Sequence, residues 1–200
     1  MQPANSVTSN KPPRIEWRTL REKNMKVLAF AASNSRKSIN KDLIRYATTR
    51  LPDSDVEIID INDYEMPIYN SELEEAHGIP EAASRFLDKI AEADALVISY
   101  AEHNGNYTVA YKNLFDWASR KNREVYQGKP IVMLSTSPGA GGAKNVLSLA
   151  VESAHRFAGT VKASLSVPEF YKNFDRDEGV LTNPELVAQL EETLSPLQRD

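Results

Sequence analysis

The chain has 200 residues, 41% of them hydrophobic, a formal net charge of −4 and no cysteine. That length suits one domain with a real core. The mild acidity gives no broad attraction to nucleic acid or an anionic membrane, and the missing thiols exclude disulfides, thiolate metal sites and a cysteine nucleophile while fitting a reducing cytoplasm.

Residues 1–24 are polar, proline-bearing and non-periodic, with no apolar stretch of the kind a secretion signal carries. They are expected to form a flexible N-terminal extension, or an arm that packs on a partner subunit through Ile15, Trp17 and Leu20. Residues 25–200 are expected to form the domain. No run of 18 apolar residues occurs, so no membrane-spanning helix is expected.

Val27 to Ala32 is an apolar run that predicts a parallel strand buried on both faces. A polar loop follows, with Ser33, Asn34, Ser35, Arg36, Lys37, Ser38 and Asn40. Asp42, Leu43, Ile44, Tyr46 and Ala47 then continue as an amphipathic helix. Such a strand–loop–helix aims backbone N–H groups and the positive end of a helix at the loop. Hydroxyls and a guanidinium add donors, and none of these side chains adds negative charge. The loop therefore reads as a cradle for the phosphate of a nucleotide-like cofactor.

Pro52 and Asp53 make a turn before a second strand, Val56 to Ile61. Asn62 to Gly78 reads as a long irregular connection, a kind of segment that often carries function. Pro80 opens a helix in which Ala82, Ala83, Phe86, Leu87, Ile90 and Ala91 keep helical spacing. Ala95 to Tyr100 is a third strand, running into the sequence AEHNGNY, and a helix is predicted from Tyr107 to Arg120. Pro130 to Thr136 is a fourth strand, running into SPGAGGA, followed by a helix from Ala143 to Phe157. Thr160 to Val167 is a weaker, edge-like fifth strand, and Pro184 to Leu194 is a final helix.

This alternation predicts an α/β doubly wound parallel sheet with right-handed crossovers. Ligands of such sheets bind beyond the carboxyl ends of the strands, at the switch in strand order. Residues 33–40, 101–107 and 137–143 all hold that position. No G-x-G-x-x-G follows the first strand, and no G-x-x-x-x-G-K-[ST] occurs. A receiver-type Mg²⁺ site would need several carboxylates at these strand ends, where Glu102 stands alone. A small tyrosine phosphatase would need a cysteine. No His/Asp/Glu spacing points to a metal, and no histidine is placed to activate Ser135 or Ser137. What remains is a hydroxyl-rich cradle suited to a monophosphate that stays intact.

These three segments resemble the NAD(P)H-dependent FMN reductase family of flavodoxin-like flavoproteins, the relatives of quinone, azo and chromate reductases. The family's opening pattern, G-S-x-R-x-x-S-x-N, is met at Ser33, Ser38 and Asn40; Ala32 replaces its glycine, Ser35 its arginine, and Arg36 comes one position later. A second pattern, P-E-Y-N followed by L-K-N-x-x-D-W, is met at Glu102, Asn104, Lys112, Asn113, Asp116 and Trp117, with Ala101, His103 and Tyr111 departing from it. A serine–proline–glycine run with paired glycines is met at Ser137, Pro138, Gly139, Gly141 and Gly142.

The resemblance implies a flavodoxin-like five-stranded sheet in the order 2-1-3-4-5. It implies FMN with its phosphate at Ser33, Ser35, Ser38 and Asn40, with Arg36 also among the cofactor-binding residues. The ring would lie along Ala101, Glu102, His103, Asn104 and Gly105, beside Ser137, Gly139, Gly141 and Gly142. Hydride would pass from NADPH or NADH through FMN to a small acceptor (flavin, quinone or azo compound) in a ping-pong cycle. The cofactor carries the difficult step, so no catalytic acid or base is named. The alternative is an FMN-binding electron-transfer module without efficient NAD(P)H turnover.

The resemblance also implies a cytoplasmic homodimer or homotetramer, with the Tyr64–Tyr69 stretch and the third predicted helix, Tyr107 to Arg120, at the interface. Tyr111, Phe115 and Trp117 read as core and interface. Lys112 and Asp116 form an i, i+4 pair, and Lys112 and Asn113 are structural before they are functional. His155, near Glu152, reads as a surface residue.

Overall fold

The computed structural model describes residues 24–198. Its central sheet is parallel, with β2 (Ser54–Ile59), β1 (Met25–Ala32), β3 (Ala95–Tyr100), β6 (Pro130–Thr136) and β7 (Thr160–Val167) in the order β2-β1-β3-β6-β7. This is the expected order of the five main strands. Every residue of β3 is buried, as are six consecutive residues in each of β1 and β6. Strands covered on both faces read as continuous apolar runs. Strands β2 and β7 alternate instead, because they lie at the two edges.

The pleat divides the core in two. Leu28, Phe30, Leu96, Ile98, Ile131 and Met133 pack under α3 (Glu81–Glu92), α4 (Val109–Lys121) and α5 (Lys144–Ala154). Val27, Ala29, Ala31, Val97, Val132 and Leu134 pack under α1 (Ile39–Thr48) and α7 (Pro184–Leu194). Helices on both faces leave the carboxyl ends of β1, β3 and β6 as the place where three loops meet.

Four expectations need correction. The second strand runs over Ser54–Ile59 rather than 56–61. The 62–78 connection is not irregular throughout: it holds a 3₁₀ turn at Ile61–Tyr64 and helix α2 (Ser71–His77). Asn70 caps α2 by accepting from the Leu73 N–H at 2.8 Å, and Gly78 ends it at φ 73°. Helix α4 starts at Val109 because Thr108 takes its N-cap: the Tyr111 N–H donates to the Thr108 hydroxyl, which itself donates to the Ala32 carbonyl at 3.0 Å. Helix α5 gives way to a 3₁₀ turn at His155–Phe157. Two short hairpins are new: β4 (Glu102–His103) with β5 (Asn106–Tyr107), and β8 (Phe174–Asp175) with β9 (Val180–Leu181), the latter preceded by α6 (Phe170–Asn173).

The connection is fastened to α4. Asn113 Nδ2 donates to the carbonyls of Met66 and Pro67, its Oδ1 accepts from the Tyr69 N–H, and Trp117 Nε1 donates to Pro67 O at 2.8 Å. Asn113 is structural, as expected. Tyr111 and Trp117 are core residues and Phe115 is half-buried. Lys112 and Asp116 pair at 2.6 Å. His155 is exposed. No helix among the described residues is long and apolar enough to cross a membrane. The expected N-terminal extension lies, as far as Lys23, outside the described residues.

Candidate functional site

The first loop leaves β1 at Ser33. Ser33 and Ser38 are buried, and Asn34, Ser35, Arg36 and Lys37 are exposed. The loop is held by few bonds of its own: Ser35 N–H to Ser33 Oγ at 3.4 Å, and Ser38 N–H to Ser35 O at 3.3 Å. Ser38 is the N-cap of α1, yet its hydroxyl makes no capping bond. The N–H groups of Asn34, Arg36 and Lys37 have no acceptor among the described residues. Arg36 and Lys37 have no carboxylate partner there either. A buried hydroxyl, free N–H groups and the positive end of a helix are together a donor set for an anion.

Asn40 departs from the expectation. Its side chain is buried and turned into the sheet, where Oδ1 accepts from Ser99 Oγ (2.7 Å) and Thr136 N–H (3.1 Å), and Nδ2 donates to Thr136 O. Next to it, Lys41 pairs with Asp60 at the end of β2. Burial pushes the Asp60 carboxyl up, but hydrogen bonds from Lys41 and the Asn62 N–H outweigh it and hold the group below its ordinary value. Asn62 Nδ2 also donates to the Asn34 carbonyl at 3.1 Å, tying the loop to the β2 side.

The second loop is the β4–β5 hairpin, turned by Asn104 at φ 53° and Gly105 at φ 75°. Asn-Gly is the preferred pair for this two-residue turn, so the hairpin was readable from the sequence. His103, Asn104 and Gly105 are exposed; Ala101 and Glu102 are half-buried. The Glu102 carboxylate reaches across to the start of α5, accepting from Val146 N–H at 3.0 Å and Asn145 Nδ2 at 3.4 Å. Its side chain thus caps a helix rather than projecting into the cleft, and it satisfies donors that the αL residue Ala143 leaves unmet.

The third loop is clamped by its carbonyls. Glu169 N–H donates to Gly139 O, Phe170 N–H to Ser137 O, and the hydroxyls of Ser135 and Ser166 both donate to Gly142 O. With its carbonyls fixed, the loop leaves the N–H groups of Gly139, Ala140 and Gly141 without acceptors among the described residues. Gly139 and Gly141 are exposed, and a Cβ on either would meet nothing. Gly142 is different: at φ 59°, a Cβ would lie 2.2 Å from Ser166 Oγ and 3.1 Å from Pro168 N. It is a packing glycine under the loop.

Behind the hairpin sit three buried tyrosines. The hydroxyls of Tyr100 and Tyr111 approach that of Tyr126 at 3.4 and 3.1 Å. Burial pushes all three up, Tyr126 to about 12, so they stay neutral, and the rings of Tyr100 and Tyr111 pack against Tyr107 of the hairpin. Among the described residues there is no cluster of His, Asp and Glu able to hold a metal.

The donor set fits a flavin monophosphate. One loop offers hydroxyls and N–H groups with no carboxylate, and the third loop offers glycines that let backbone N–H groups approach a flat ring. Comparison with known proteins agrees. Residues 25–172 match the NADPH-dependent FMN reductase family. The chain is 32% identical over 187 residues to an NAD(P)H:quinone oxidoreductase of Solanum tuberosum, covering 87% of this chain and 91% of that one. It is 34% identical over 119 residues to an NAD(P)H-dependent FMN reductase of Pseudomonas aeruginosa, but there the match spans 59% of this chain and only 63% of the relative. The flavoenzyme FerB of Paracoccus denitrificans, an NAD(P)H:(acceptor) oxidoreductase, superposes with a TM-score of 0.72 at 22% identity, covering 86% of this chain and 94% of its own. That likeness shows the flavodoxin-like fold. The chain belongs to the NADPH-dependent FMN reductase family, whose members are FMN-dependent oxidoreductases.

Proposed function

We propose that the chain is an NAD(P)H-dependent reductase that passes hydride through FMN to a small acceptor, free flavin, a quinone or an azo compound, in a ping-pong cycle. The observation that carries this reading is the pair of donor loops, one free of carboxylates and one built on exposed glycines, at the switch point of a flavodoxin-like sheet.

Bound FMN supplies the hydride-carrying ring. The chain's own work is binding and orientation. Ser33, Ser35 and Ser38, with the N–H groups of residues 34, 36 and 37 and the guanidinium of Arg36, would hold the phosphate, and Asn40 would support them from behind. The backbone of Ala101 to Gly105 and of Ser137 to Gly141 would hold the ring, with Gly142 packed against Ser166 and Pro168 to support the third loop. Orienting cofactor and substrate against each other would supply much of the rate by itself, so no side chain is assigned an acid or base role. An acceptor would enter by the cleft of about 320 Å³ between the 61–68 connection and the start of α4, lined among others by Asn62, Met66, Thr108 and Val109 and reached by Asn34 of the first loop and His103 of the hairpin.

Ile68 and Val109, 64% and 69% exposed, lie on this cleft's rim. We assign that apolar face to a homodimer contact, the building block of any tetramer. A monomeric mass at micromolar concentration removes this assignment. The cysteine-free chain suits a reducing cytoplasm.

The deciding experiment is a visible spectrum of the purified protein with FMN, then with NADPH under anaerobic conditions. A bound flavin spectrum that bleaches within seconds, and recovers on adding a quinone, supports the reductase. A bound spectrum that persists leaves an electron-transfer module instead.

A further inference from the structure

Asn40 stands in a motif whose residues are expected to touch phosphate, yet its side chain serves the sheet. It sits in the first turn of α1, 2% exposed. An asparagine side chain has two acceptor and two donor positions. Both acceptor positions are filled, by Ser99 Oγ at 2.7 Å and Thr136 N–H at 3.1 Å, and one donor goes to Thr136 O at 3.2 Å. The amide therefore pairs with both backbone groups of Thr136 as a neighbouring strand would. Thr136 is the last residue of β6, and Ser137 after it begins the glycine loop. Ser99 lies in β3, one residue before the strand's end, and is fully buried.

One side chain thus joins the helix that opens under the first loop to both strands that feed the other two loops. We infer that Asn40 is a positioning residue that sets the phosphate cradle and the ring-binding loop at a fixed spacing, and that it is not a phosphate ligand. This rests on the flavin reading above. Its consequence is specific. Losing a phosphate ligand weakens FMN and leaves riboflavin, which has no phosphate, unchanged. Losing the spacer disturbs the ring loop and weakens both.

The test is the affinity of wild type, Asn40→Ala and Ser99→Ala for FMN and for riboflavin, by flavin fluorescence titration. The expected result is that Asn40→Ala weakens riboflavin by about tenfold and FMN by at least as much. Ser99→Ala, which removes one hydroxyl and keeps the asparagine, weakens both flavins by smaller factors and carries the test if Asn40→Ala does not fold. A loss confined to FMN, or no loss for either flavin, overturns the inference. A wild-type chain that binds neither flavin removes the flavin reading itself, which separates that failure from this one.

Discussion

The first and third loops lie at the same end of the sheet, on either side of β3, and are held in opposite ways. Residues 137–142 are gripped through carbonyls by groups from β6, β7 and the segment beyond it. Among the described residues, 33–38 carry two weak internal bonds, and they are tied outward where Ser38 O accepts from the first turn of α1 and where Asn62 donates to the Asn34 carbonyl. The glycine loop is prebuilt, so on the proposed function a flat ring would meet a surface that need not reorganise. The serine loop keeps its donors open, and on the proposed function an anion would complete it. Substitutions in the third loop should therefore act on stability first, and those in the first loop on ligand affinity first.

The sharpest way to break this contrast is Gly142→Ala. The new methyl would meet Ser166 Oγ and the Pro168 backbone at a left-handed φ. We expect a loss of about 3 kcal/mol, read as a fall of roughly 10 °C in Tm. An unchanged Tm would mean that the loop is not prebuilt. Ser38→Ala should do the reverse. The hydroxyl has no cap bond to lose, so Tm should hold within about 1 °C while FMN affinity falls about tenfold and riboflavin affinity stays put. Equal losses for the two flavins would remove Ser38 from the phosphate cradle.

Glu102→Ala tests the strap between the second and third loops. Losing an acidic cap on α5 should cost about 1 kcal/mol in urea unfolding. A neutral result would return Glu102 to the cleft. The smallest effect is expected at the outer edge of the first loop. Asp60→Asn should cost no more than ~0.5 kcal/mol at pH 7, because the side chain is partly solvated. Folding lowers the Asp60 pKa from 3.8. Its contribution is therefore present above that value and is lost as pH falls through the lower folded one. The unfolding curves of Asp60→Asn and wild type should converge in acid, and curves that stay parallel down to pH 2 would assign the difference to something other than this carboxylate.

Much of this was legible in the residues themselves. Strands β3, β6 and β7 and helix α7 begin and end where the apolar runs and their capping residues place them. Helix α2 was missed because none of its residues is buried, so it carries no apolar stripe, although Asn70 and Gly78 mark both its ends. The two-strand hairpins were missed because two residues give no periodicity, although Asn104-Gly105 names the turn of the first.

The site divides along the same line. Local sequence determined the doubly wound class, the order of its main elements and the three polar or glycine-rich loops after β1, β3 and β6, since burial on both faces forces apolar strands and ligand-facing loops need donors and small residues. Only the tertiary structure decided which motif residues face the cleft and which face the protein. Asn40 meets Thr136 across 96 positions and Glu102 meets Val146 across 44. A hydrogen bond spanning that separation leaves no periodicity in the sequence, because what selects the partner is the packing of elements that meet only when the sheet closes.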